Sequence, residues 1–152
     1  MKSSKEKTNI FKKLSSQENE ALLTFPVYIT LLAANSDGRL DEAEKKAAIK
    51  LVHTKTFCCD QRLIEFYRVA DEVFENILEN LDAELPQEKE SRKAFIKEEL
   101  IRLEKIIIKL GKAYATSMRR SMKSFNEHIS KAHHSVLVDF ILPLPIPGLT
   151  ES

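Results

Sequence analysis

The sequence predicts an all-α fold, a single-domain helical bundle of about five helices followed by an extended Pro-rich C-terminal strip. Three observations carry this. Only three glycines and five prolines occur in 152 residues, so few positions can break a helix. Large apolar residues recur three or four positions apart through most of the chain, which is the helical period. No segment alternates apolar and polar residues as a half-buried strand does. The length is that of one domain with a real core. Residues 1–14 read as a loose N-terminal segment, 15–141 as the helical domain and 142–152 as the strip.

Ser15 opens the first helix, and Glu18 three residues on completes a capping box. From Ala21 to Ala34 the chain is apolar nearly all round, the mark of a central buried helix. Pro26 within it predicts a kink or a join between two shorter helices. Asp41 begins the next helix, running to about His53, with Glu44 again three residues beyond the cap. A third spans Asp60 to Leu81 with Leu63, Phe66, Ala70, Val73, Ile77 and Leu81 on one face. The adjacent Cys58 and Cys59 cannot form an ordinary bridge and read as small apolar packing in the connection before it.

The last helical stripe is the longest, running from Ile96 through Leu103, Tyr114, Met118 and Phe125 to Val136. An unbroken helix from Glu88 to His134 would be about 70 Å long, beyond a compact domain of this size. A break is therefore expected at Gly111 or in the serine-rich stretch Ser117–Ser124. Such a bend would favour a monomer over an antiparallel dimer. The strip then places Pro143, Pro145 and Pro147 at every second residue, which forbids a helix and imposes an extended path. Its Leu142, Leu144, Ile146 and Leu149 would either fold back over the bundle or meet a protein partner or membrane surface.

Composition excludes several classes of function. The 24 basic and 23 acidic residues leave no global field for nucleic acid. Charge is segregated nonetheless. From Asp71 to Glu104 eleven acids face only Lys89, Arg92, Lys93, Lys97 and Arg102. From Lys105 to His134, Lys105, Lys109, Lys112, Arg119, Arg120, Lys123 and Lys131 face Glu127 alone. The first residues have no apolar core behind them, so a secretory signal is not expected, and no window has the length of a transmembrane segment. With no disulfide framework, a cytoplasmic setting is expected. There is no Gly-rich phosphate loop, HExxH, GxSxG or Cys–His zinc spacing, and no Glu-x-x-His pair for a di-iron bundle. His128, His133 and His134 read as solvated or capping histidines, and no enzyme is expected.

One motif suggests chemistry. Between the apolar helix and its successor, Asn35, Asp37, Asp41 and Glu44 cluster around Gly38, the only glycine in the first hundred residues. In a twelve-residue calcium loop beginning at Ala33, Asn35 takes position three, Asp37 five, Gly38 six and Arg39 seven through its carbonyl. Asp41 takes nine and Glu44 twelve. Position one should be Asp, and here it is Ala33. The alternative is a capping box of Asp41 with Glu44 after an ordinary Asp37-Gly38 turn.

The pattern of an apolar helix ending in Ala33-Ala34, then Asp37-Gly38, Leu40 and Glu44, then a basic amphipathic helix, resembles the tellurite-resistance TerB-like family. The resemblance covers about Ser16 to Lys55 and one acidic turn, where members often have two. It implies an all-helical, non-enzymatic module acting in a stress response, with Ca²⁺ or Mg²⁺ held at the turn. The other reading is a helical adaptor, without metal, that uses its strip and basic helix.

Overall fold

The computed structural model describes residues 10–35, 40–58 and 60–129. They form α1 (Ser16–Leu23), α2 (Phe25–Asn35), α3 (Glu42–Cys58), a 3₁₀ turn (Gln61–Leu63), α4 (Ile64–Glu84), α5 (Lys89–Ile108) and α6 (Lys112–Ile129), with no strand among the described residues. α1 and α2 are separated by Thr24 alone, so the six helices make five rods. The all-α bundle is as the sequence predicts. None of these helices is long and apolar enough to cross a membrane.

α2 is the axis of the bundle. It packs against α3, α4, α5 and α6, and Phe25, Val27, Ile29, Leu31 and Leu32 are all buried. A helix enclosed on every side needs apolar residues on every side, which is why its sequence lacks an amphipathic stripe. Pro26 produces a join. Its ring cannot follow the carbonyl of Leu22 in a continuous helix, so Thr24 closes α1 by donating its N–H to the carbonyls of Ala21 and Leu22. The Thr24 carbonyl then accepts from Tyr28 N at 2.9 Å and starts α2.

Ser15 caps α1 as expected: its Oγ accepts from Glu18 N at 3.0 Å, and Glu18 Oε1 accepts from Ser15 N at 3.0 Å. Residues 10–14, which the sequence places in the loose segment, are held by Asn19. This side chain is 2% exposed, accepts from Phe11 N and donates to the carbonyls of Phe11, Leu14 and Ser15. The chain before α1 is thereby brought onto α6, where the Phe11 and Tyr114 rings meet edge to face at 5.2 Å.

α3 runs five residues beyond the expected end at His53 and lies along α4. The buried face of α4 is rotated from the predicted stripe. Phe66 and Ala70 are buried, but Tyr67, Phe74 and Leu78 fill the core while Val73, Ile77 and Leu81 are only partly covered. α4 meets α1, α2 and α3 together, so its contact face is wider than one row of residues. Glu88 caps α5 through the N–H groups of Glu90 and Ser91.

The long stripe breaks at Gly111, the first of the two places the sequence offers. Gly111 has φ +100°, a conformation closed to most L-residues, and its carbonyl accepts from Ala115 N at 2.9 Å to begin α6. Met118, Met122 and Phe125 then reach the core with Ile96, Leu100, Leu103 and Ile107. The serine stretch stays helical and has another role. Ser121 Oγ meets the Tyr67 hydroxyl at 2.7 Å, and Ser117 Oγ donates to Asp60 Oδ2 at 2.9 Å. The two serines lie four residues apart and form a polar seam from α6 to the 3₁₀ turn and α4.

Candidate functional site

The acidic turn joins the buried axis α2 to the start of α3. Asn35 is the last residue of α2. Asp37 and Arg39 lie outside the described residues, whereas Leu40 packs against the core and fixes the entry to α3. Asp41 Oδ1 accepts from Glu44 N at 2.7 Å, and Glu44 Oε1 accepts from Asp41 N at 3.0 Å. This is the reciprocal capping box that the spacing predicts, with two negative charges at the positive end of a helix dipole. Each carboxylate uses one oxygen on the cap. Asp41 Oδ2 and Glu44 Oε2 receive no hydrogen bond from the described residues.

Among the described residues no three His, Cys, Asp or Glu side chains gather closely enough to hold a metal ion. Two of the five predicted ligands, Asp41 and Glu44, are thus together at the mouth of the turn. Both offer hard oxygen atoms, the donor type suited to Ca²⁺ or Mg²⁺. Leu142, Leu144, Ile146 and Leu149 lie outside the described residues, as do Cys59, His133 and His134. His128 is a capping histidine, its Nδ1 3.0 Å from the Ser124 carbonyl oxygen.

Three further polar clusters join elements of the bundle and have no local motif in the sequence. In the first, Asp60 accepts from Arg62 N at 2.9 Å and from Ser117 Oγ, while Arg62 Nη1 donates to Ser117 Oγ at 3.2 Å. The Arg62 N–H, aided by Ser117, holds the Asp60 carboxyl below its ordinary value. A carboxylate so stabilised is a poor base for the serine, so the triad fastens α6 to the 3₁₀ turn. In the second, Arg92 is 5% exposed and pairs with Asp82 while donating to the carbonyls of Asp82 and Pro86. In the third, Glu104 of α5 pairs with Arg119 of α6, both largely covered. Their signal in the sequence is weak, since each cluster is completed only across ten or more positions, by Ser117 on Asp60, Asp82 on Arg92 and Glu104 on Arg119.

Set against known proteins, the chain matches no family model, no curated protein and no solved structure.

Proposed function

We propose that the chain is a non-enzymatic, cytoplasmic helical module of the TerB-like kind, acting in a stress response, whose Asn35–Glu44 turn holds Ca²⁺ or Mg²⁺. The supporting observation is the placement of Asp41 and Glu44. Each commits one oxygen to the α3 cap and leaves the other without a hydrogen bond from the described residues, on a helix start anchored by Leu40. Asp37 and Asn35 would supply further side-chain oxygens, and Arg39 its carbonyl. Bound metal would neutralise the carboxylates and stiffen the α2–α3 junction.

Titration calorimetry on metal-stripped protein tests this. Heat at millimolar Ca²⁺ or Mg²⁺, with a rise in thermal midpoint, is expected, and its absence leaves the turn as a cap only. Asp37→Ala should abolish binding with little change in apo stability. Asp41→Ala should also remove the cap, lowering apo stability by about 1 kcal/mol in urea unfolding. A second reading, the adaptor, is favoured by Ile101 and Ile108, large apolar side chains exposed on the outer face of α5.

A further inference from the structure

Among the described residues only three large apolar side chains are exposed, Phe95 (39%), Ile101 (52%) and Ile108 (57%), all on α5. Ile101 and Ile108 are seven positions apart, so they share one face about 10 Å apart along the helix, while Phe95 lies about 120° around it. Exposed Lys105 sits between them on that face, its methylene stem available to extend the apolar surface. The opposite side of α5 is already occupied by Ile96, Leu100, Leu103 and Ile107, which enter the core. The outer face therefore has no cover among the described elements.

The same chain carries a segment that needs one. Between Leu142 and Thr150 there is no charged residue, and Pro143, Pro145 and Pro147 lack the N–H groups that would need hydrogen-bond partners under an apolar cover. In a polyproline helix, residues three apart share a face and are about 9 Å apart. Ile146 and Leu149 are three apart and so match the spacing of Ile101 and Ile108. Reach is ample. α6 turns back at Gly111 alongside α5, at least as far as the Arg119–Glu104 pair, and Ile146 lies 17 positions beyond Ile129. Seventeen extended residues can span about 50 Å, more than the roughly 30 Å length of α5. Tethering also presents the strip at an effective concentration that a free partner seldom reaches.

We propose that the proline-rich strip of this chain is the cover of α5, with Ile146 and Leu149 lying over Ile101 and Ile108 as an intramolecular strap.

A thermal double-mutant cycle in the full-length chain, run in chelator so that the acidic turn does not contribute, tests it. Ile101→Ser/Ile108→Ser and Ile146→Ser/Leu149→Ser should each lower the midpoint by a few degrees, and the four together by no more than either pair. Additive shifts, or no shift from the strip pair, overturn the strap. Coupling that grows with protein concentration as light scattering reports a dimer also overturns it, assigning the face to a second copy. An independent measurement uses Ile108→Cys in a Cys58→Ser/Cys59→Ser background. Thiol labelling should be slow and should accelerate several-fold when Ile146→Ser/Leu149→Ser is added, whereas equal rates reject the strap.

Discussion

At the scale of residues, the most exacting position is Arg92. Its guanidinium is buried, and it satisfies one backbone carbonyl in the last turn of α4 and one in the α4–α5 connection as well as the Asp82 carboxylate. Arg92→Ala removes donors that no water can easily replace and leaves a cavity, so a loss of about 2–4 kcal/mol in urea unfolding with unchanged m-value is expected. Titrating residues make a second prediction. Glu18 is held below 4.5 chiefly by Lys109, Glu88 below 4.5 by Ser91, and Asp60 below 3.8 by the Arg62 N–H. Groups with lowered native values stabilise the fold above their unfolded values. That contribution is lost as pH falls through the native ones, so the urea midpoint should decline below about pH 4.5. The alkaline limb has the opposite sign. Burial, helped by Glu99, pushes the Tyr28 phenol from 10.0 up to about 12, and the Glu79 carboxylate raises Lys45 above 10.5. Both contribute fully below pH 10 and are lost above it. Tyr28→Phe should flatten the tyrosine part of that limb, read as urea midpoint between pH 9 and about 12.

At the scale of elements, Gly111 determines how α5 and α6 fit together. A Cβ there would meet nothing within 4 Å, so Gly111→Ala carries only the conformational penalty of φ +100°. That penalty is about 1–2 kcal/mol, and Gly111→Asn should lose less, because Asn visits the left-handed region more readily. Denaturant unfolding of the two variants checks the order. This hinge was legible because it depends on one residue and on the length an unbroken helix would reach. Both capping boxes were legible for the same local reason: Ser15 with Glu18, and Asp41 with Glu44, are complete within four residues. The rotation of α4 was not, because Tyr67, Phe74 and Leu78 enter the core only once α1, α2 and α3 surround them. Ser117 and Ser121 looked like helix breakers in isolation, and their partners Asp60 and Tyr67 are more than fifty residues away. The acidic turn was legible to the same depth. Spacing predicts the capping box of Asp41 with Glu44, and that box is what the described residues form there.

At the scale of the molecule, the segregated charges and the bent helix answer each other. An unbroken helix would have carried the basic residues after Lys105 away from the acidic residues before them. The turn at Gly111 instead brings Arg119 back to Glu104, where both side chains are largely covered, and Lys109, at the end of α5 before the turn, meets Glu18 on α1. Lys45 meets Glu79 across α3 and α4 in the same way. Lys109 and Arg119 are thereby engaged within the chain, and Ile96, Leu100, Leu103, Ile107, Met118, Met122 and Phe125 of the apolar stripe are buried in the same bundle. Exposed pairs such as Lys109–Glu18 contribute only a fraction of a kcal/mol and are screened by salt, whereas the covered Arg119–Glu104 pair is screened much less. Light scattering should therefore report a monomer at both about 20 mM and 500 mM salt. A dimer at low salt that dissociates as salt rises would place the pairing between chains. Removing the internal partner should create that situation: Glu104→Gln leaves Arg119 poorly neutralised near the α5–α6 junction. This variant should lose about 1–3 kcal/mol of stability, and any association it gains should weaken as salt is added.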